Sequence, residues 1–115
     1  IRADLNVPQD DTGAITEEDV SSMLTSLDRM FSLPEPRVFV HCLAGHNRSP
    51  TVIWLYLKSL GVNAEVAQQM IERASPRSVG GHPLLLSSET TNAVVTHRLA
   101  RNSEATDQLR QIVLG

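Results

Sequence analysis

Residues 40–51 read Val40-His41-Cys42-Leu43-Ala44-Gly45-His46-Asn47-Arg48-Ser49-Pro50-Thr51. The run that leads into this stretch, residues 37–41, is rich in Val and Phe and predicts a buried parallel strand. Small and polar residues continue to Ser49, and an apolar helical pattern then extends to Leu60, where Gly61 ends it. A strand, a short loop and a buried helix in this order predict an α/β fold.

The loop has the composition of an anion-binding site. Cys42 lies six positions before Arg48, and a loop of this length can turn several backbone N–H groups toward one centre. Gly45 allows close approach of the backbone, and the guanidinium of Arg48 can hold two oxygens of one phosphate. The helix that follows adds its positive N-terminal end. The sequence therefore predicts a cradle for a phosphate.

Cys42 is expected at the bottom of this positive cradle, which would favour the thiolate over the thiol. A thiolate that attacks phosphorus forms a phosphocysteine, and Ser49 can donate a hydrogen bond to the sulfur when it leaves. The departing oxygen needs a proton from another group. Asp10 and Asp11, in the loop that follows the first predicted strand, are both candidates for this general acid.

The residues before the cradle predict one strand and one helix. Residues 2–7 alternate in polarity, as expected of a strand, and residues 8–13 form a polar loop. Residues 16–19 are typical of a capped helix start, and an apolar stripe at helical spacing continues until Pro34 stops it. These elements precede the strand at 37–41 and predict a strand–helix–strand unit.

The residues after the cradle predict helices. Asn63 is expected to cap a helix that runs to Ala74, and residues 78–83 are expected to form a loop. Residues 84–114 predict one or two helices, although residues 90–96 are prone to form a strand. The whole chain, 1–115, is predicted to be a single α/β domain whose parallel-rich sheet is flanked by helices.

Composition excludes several classes of protein. The chain has 115 residues, of which 41% are hydrophobic and 20% charged, so it is neither disordered nor of low complexity. The net charge of −3 and the absence of a basic stripe make nucleic-acid binding improbable. The apolar runs are too short to span a bilayer. The single cysteine fits a reducing compartment, and we expect a cytoplasmic location.

The pattern His-Cys-x-x-Gly-x-x-Arg-Ser, carried by residues 41–49, resembles the signature of the cysteine-based protein phosphatases, in the form of their dual-specificity branch. Upstream, Val7-Pro8-Gln9-Asp10-Asp11 resembles the hydrophobic-Pro-x-x-Asp loop that carries the general acid in this family. That register selects Asp11 over Asp10. The resemblance covers about residues 4–75, with a looser tail.

The resemblance implies a role for each matched residue. Cys42 would be the nucleophile, Asp11 the general acid, and His41 would help to keep Cys42 ionised. Ser49 would help to break the phosphocysteine. The phosphate would be bound by the loop backbone together with the Arg48 clamp, that is by Leu43, Ala44, Gly45, His46, Asn47 and Arg48. The family uses no metal, we expect no cofactor, and the partner would be a phosphorylated protein or another phosphomonoester substrate.

The resemblance also leaves points open. Domains of this family usually have about two more strands and a helix before the acid loop, so either N-terminal strands are missing here or the sheet is completed in another way. His46 and Asn47 resemble the loop of the RNA 5′-triphosphatases of the same superfamily, which is an alternative activity. A second alternative is a module that binds phosphate without turnover.

Some residues, both inside the loop and outside it, have other interpretations. His41, Cys42 and His46 lack a fourth ligand at zinc-like spacing, so a metal site is disfavoured. Trp54 is expected in the core, and His82 and His97 are expected to be surface or packing residues. Arg77 is a candidate for binding a second phosphate.

Overall fold

The computed structural model describes residues 2–7, 16–41, 48–74 and 86–115. Its elements in chain order are β1 (Arg2–Asn6), α1 (Glu17–Phe31), β2 (Arg37–His41), α2 (Arg48–Ser59), α3 (Ala64–Ala74), α4 (Ser88–Ala100) and α5 (Ser103–Leu114). The fold is α/β, as predicted. The loops predicted at 8–13 and 78–83 lie outside the described residues. No helix in the described ranges has the length and apolar character that crossing a bilayer requires.

The two strands form a parallel pair. Arg2 lies opposite Arg37 at one end of the ladder, and Asn6 lies opposite His41 at the other. Parallel neighbours require a crossover connection, and α1 lies in the sequence between the two strands. The predicted strand–helix–strand unit is therefore confirmed, and the carboxyl ends of both strands lie at the same edge of the sheet.

The two faces of this sheet differ in burial. Leu5, Val38 and Val40 pack against the core on one face. On the other face Phe39 is 42% exposed, and the Arg2 guanidinium lies over its ring, 4.4 Å from the centroid. The prediction that residues 37–41 form a buried strand was wrong for this face, because the side chains of this short ladder alternate between a core-facing side and an open side.

Helix α1 begins where its capping residues predict. The Thr16 hydroxyl accepts a hydrogen bond from the Asp19 backbone N–H at 3.1 Å, and three acidic residues occupy the first turn. The helix packs against both strands and against α4. Its buried residues follow the predicted apolar stripe and are Val20, Met23, Leu24 and Leu27.

Helix α2 is buried over most of its length, as expected of a central helix. It ends at Gly61, whose φ is +87°, and the Val62 N–H donates to the Leu57 carbonyl at 3.1 Å. The Trp54 indole donates to the Ala64 carbonyl at 3.2 Å and packs against the core, as predicted. The buried residues of α2 are Ser49, Pro50, Thr51, Val52, Leu55, Tyr56, Leu57 and Ser59.

The C-terminal third of the described chain is helical. The Ser87 and Thr90 side chains form a reciprocal capping box at the start of α4, and Asn102 caps α5. The strand tendency of residues 90–96 is overridden because Thr90, Ala93 and Val94 lie on one helical face and are buried. Of the one or two helices expected here the structure has two, and the β-prone interpretation of 90–96 was wrong.

Candidate active site

The predicted cradle lies between two described elements. β2 ends at His41 and α2 begins at Arg48, one residue earlier than predicted. Residues 42–47, which include Cys42 and Gly45, lie outside the described residues. The end of β2 and the start of α2 nevertheless flank this segment, and a strand followed by a helix is the order that the sequence predicts.

The first turns of α2 contain buried hydroxyl groups. Ser49 is 6% exposed and Thr51 is fully buried. Polar groups are retained in such positions when they are hydrogen-bonded. In the part of the chain that the structure describes, no buried side-chain nitrogen or oxygen lacks a hydrogen-bond partner. Ser49 therefore lies in the interior of the domain, in the first turn of α2, and not on its surface.

The strand that precedes the candidate acids ends beside the end of the strand that precedes the candidate nucleophile. Asn6 is the last residue of β1 and pairs with His41, the residue before Cys42. Val7 continues from β1 and is buried in the core. Asp10 and Asp11 follow a few residues later, outside the described residues. In parallel sheets, ligands bind in the crevice at the carboxyl ends of the strands, which is the edge where both segments begin.

Residues 2–113 match the family model described as Swiss Army Knife protein, DSP-PTPase phosphatase domain. The chain belongs to this family of phosphatase domains. The match confirms the resemblance to the dual-specificity phosphatases and extends it beyond residue 75, so that α4 and α5 belong to the phosphatase domain too. No curated protein and no solved structure matches the chain.

In this phosphatase domain the end of α2 remote from the cradle is held by two arginines. An Arg101 amine donates to the Ser59 carbonyl at 3.1 Å, and the Arg110 Nε–H donates to the Leu60 carbonyl at 2.8 Å. These carbonyls lie at the C-terminus of α2, where the helix dipole is negative and cations stabilise it. The positive N-terminus of the same helix begins at Arg48, directly after residues 42–47 in the sequence.

A cluster of four side chains fixes the packing of α1 on α2 and on the C-terminal helices. The Asp28 carboxylate accepts hydrogen bonds from the Tyr56 hydroxyl at 3.0 Å, from His97 Nε2 at 2.8 Å and from an Arg101 amine at 2.6 Å. Arg101 also donates to the Ser59 hydroxyl at 3.3 Å. The Asp28 cluster, as we call Asp28, Tyr56, His97 and Arg101, is absent from the sequence prediction.

The cluster changes the pKa values of Asp28 and Tyr56. Burial alone would raise the pKa of Asp28, but the hydrogen bonds from His97 and Arg101, the Arg101 charge and the Tyr56 hydroxyl outweigh it and hold that pKa below its ordinary value. Burial, together with the neighbouring Asp28 carboxylate, raises the pKa of Tyr56 far above its ordinary value. His97 is a packing residue, one of the two places expected for it, because its side chain is only 13% exposed and is hydrogen-bonded to Asp28.

Three further residues for which the sequence makes a prediction lie outside the described residues. They are His46, Arg77 and His82. Within the described ranges, no group of three His, Cys, Asp or Glu side chains is arranged to hold a metal ion.

Proposed function

We propose that this phosphatase domain hydrolyses phosphate monoesters through a phosphocysteine formed on Cys42, with phosphotyrosine and phosphoserine or phosphothreonine proteins as substrates. The observation that carries the proposal is the parallel pairing of Asn6 with His41. This pairing starts the segment with Asp11 and the segment with Cys42 at one edge of the sheet. A two-step phosphoryl transfer needs a nucleophile and an acid of the protein close to one bound substrate, and we expect them to meet at this edge.

The first step transfers the phosphoryl group to the protein. The Cys42 thiolate attacks phosphorus while the backbone N–H groups of residues 43–47 and the Arg48 guanidinium hold the non-bridging oxygens. The bond between phosphorus and the leaving oxygen breaks, and Asp11 protonates that oxygen. His41 supports the ionised state of Cys42.

The second step releases inorganic phosphate. Asp11, now a carboxylate, removes a proton from water, and the resulting oxygen attacks the phosphocysteine. The sulfur leaves as a thiolate, which a hydrogen bond from Ser49 stabilises. The burial of Ser49 in the first turn of α2 supports this role, because a buried hydroxyl has few orientations and Ser49 follows the proposed cradle directly in the sequence.

The test is hydrolysis of p-nitrophenyl phosphate between about pH 5 and 8 in the absence of metal, with the wild type, Cys42→Ser and Asp11→Asn. We expect Cys42→Ser to abolish turnover. Asp11→Asn should lower kcat by about 10²- to 10⁴-fold, the usual contribution of a general acid. Phosphorylated tyrosine and serine peptides, compared in the same assay, define the substrate class.

Asp10→Asn is the matched control, because it removes a neighbouring carboxylate of the same loop, and it should retain activity close to that of the wild type. Equal losses in Asp10→Asn and Asp11→Asn would contradict the assignment of the acid. A folded wild type that binds phosphate without turnover would contradict the hydrolase and support the phosphate-binding module.

A further inference from the structure

A groove lies between α2 and α4, built from residues that the proposed catalytic steps do not use. Its volume is about 200 Å³. Pockets that enclose a whole small ligand measure roughly 300–1,000 Å³, so this groove suits one or two side chains of a larger partner. The residues that line the groove are Trp54, Leu55 and Lys58 from α2 and Thr91, Val94, Val95 and Arg98 from α4.

The apolar part of the groove continues onto the exposed surface of α4. Val95, at its margin, is 51% exposed, and Leu99, one turn further along the same helical face, is 80% exposed. Single exposed apolar side chains are common, but here two of them extend an apolar groove. The arrangement offers a partner more apolar contact than the groove alone provides.

Each helix contributes one cation to the groove. The Lys58 ammonium lies 4.9 Å from the centroid of the Trp54 ring, and Arg98 lines the opposite wall. In the described part of the chain, neither cation forms an ion pair with a carboxylate. The chain as a whole carries a net charge of −3. The groove differs from this average, because Lys58 and Arg98 lie beside it and no described carboxylate pairs with either. Such a surface is complementary to acidic groups that flank an apolar side chain.

We propose that the groove between α2 and α4 binds an acidic amphipathic segment of a partner protein, which inserts apolar side chains between the helices and places carboxylates on Lys58 and Arg98. The small volume favours a peptide side chain over a free metabolite, and the two cations select acidic flanks. The proposal is independent of catalysis, since it involves none of the residues assigned to the phosphoryl transfer.

Trp54 makes the proposal directly measurable, because it is the only tryptophan of the chain and lines the groove. The probe is a synthetic peptide of leucine and glutamate in amphipathic helical spacing, titrated into the full chain while Trp54 fluorescence is recorded. We expect a saturable change and a Kd that rises with added salt. The same peptide with glutamine at each glutamate should bind at least about tenfold more weakly, since it cannot pair with the cations.

A double variant, Lys58→Glu with Arg98→Glu, should weaken binding of the acidic peptide by at least about tenfold. The matched control is Arg29→Glu with Arg73→Glu, which makes the same change in net charge. All four cations lie in the last turns of their helices, so the effect on helix dipoles is matched too. The control should bind like the wild type.

Three outcomes would overturn the proposal. One is the absence of a saturable fluorescence change in the wild type. Another is equal affinity for the acidic and the glutamine peptides, a comparison made on the wild-type protein and independent of how any variant folds. The third is an equal loss of affinity in the groove variant and in its charge-matched control.

Discussion

Asp28 accepts hydrogen bonds from side chains that lie 28, 69 and 73 positions further along the chain. Arg101, whose contact is the shortest of the three, has a side chain only 6% exposed, whereas the Asp28 side chain is 24% exposed. A guanidinium at such a depth requires a carboxylate, since an unpaired buried charge is costly. Nothing in the local sequence around Asp28 marks it for this role, because its partners come together only in the folded chain.

Asp28→Asn should lower the free energy of unfolding by about 2–3 kcal/mol at pH 7, because the hydrogen bonds to Arg101 and His97 lose their charged acceptor. Urea unfolding measures the change. Asp107→Asn is the control. Its contact with Arg110 is 3.9 Å long, with the Asp107 side chain 73% exposed, so its removal should cost no more than about 0.5 kcal/mol.

The wild type and Asp28→Asn also test how the contribution of Asp28 to stability depends on pH. The folded state lowers the pKa of Asp28, so its contribution is fully present above the unfolded pKa, near 3.8, and is lost as the pH falls through the lower folded value. The stability difference between wild type and Asp28→Asn should stay constant down to about pH 5 and shrink below about pH 4. A difference that grows on acidification would contradict the ionised carboxylate.

Tyr56 is the only tyrosine of the chain, so its ionisation can be followed without interference. Its pKa is raised in the folded state, and folding therefore favours the neutral phenol. This contribution is present below about pH 10 and is lost as the pH rises above that value. We expect no phenolate absorbance at about pH 11 while circular dichroism shows a native chain, and titration near pH 10 in urea. A native midpoint near pH 10 would contradict the contact with Asp28.

At the scale of elements, the end of α2 depends on one glycine. Gly61 has φ +87°, and a Cβ added there would lie 2.8 Å from an Arg110 amine. Arg110 cannot move away freely, because its Nε–H donates to the Leu60 carbonyl. Both the positive φ and this close contact therefore disfavour any residue other than glycine at position 61.

Gly61→Ala should therefore cost about 1–2 kcal/mol from backbone strain alone, measured by urea unfolding. Gly115→Ala is the matched control, because Gly115 has φ +73° with no atom within 4 Å of an added Cβ, at the end of the chain. The control has a positive φ without the contact, so it should cost only the backbone strain and less than Gly61→Ala. Equal effects of the two substitutions would show that the contact at the end of α2 is unimportant.

The helices could be predicted where their ends carry local signals. Thr16 and Asn63 cap the helices that follow them, and Gly61 ends α2, as the sequence predicts. α4 was harder to predict because it buries Thr90 and leaves Val95 exposed, which blurs the apolar periodicity. This segment is a helix because it packs against α1 and α2, and this packing outweighs the strand preference of its β-branched residues.

At the scale of the whole molecule, the signature and the candidate acid are predictions from short contiguous motifs, and both lie outside the described residues. The structure adds that the strands before them end at one edge of the sheet, which follows from the parallel register and which the sequence only implies. The exposed side of Phe39 could not be predicted, since burial depends on what covers the sheet and not on the strand itself. The Asp28 cluster and the groove between α2 and α4 likewise exist only through packing.

The register of the sheet has a consequence for the order of folding. Every residue of β1 pairs with a partner thirty-five positions later, and α1 occupies much of the chain between them. Closing a loop of that length before any ladder contact forms is entropically unfavourable, whereas a capped helix forms locally and shortens the search. We therefore expect the strands to join after α1 has formed, so that the sheet edge from which the segments with Cys42 and Asp11 continue is among the last features of the domain to be assembled.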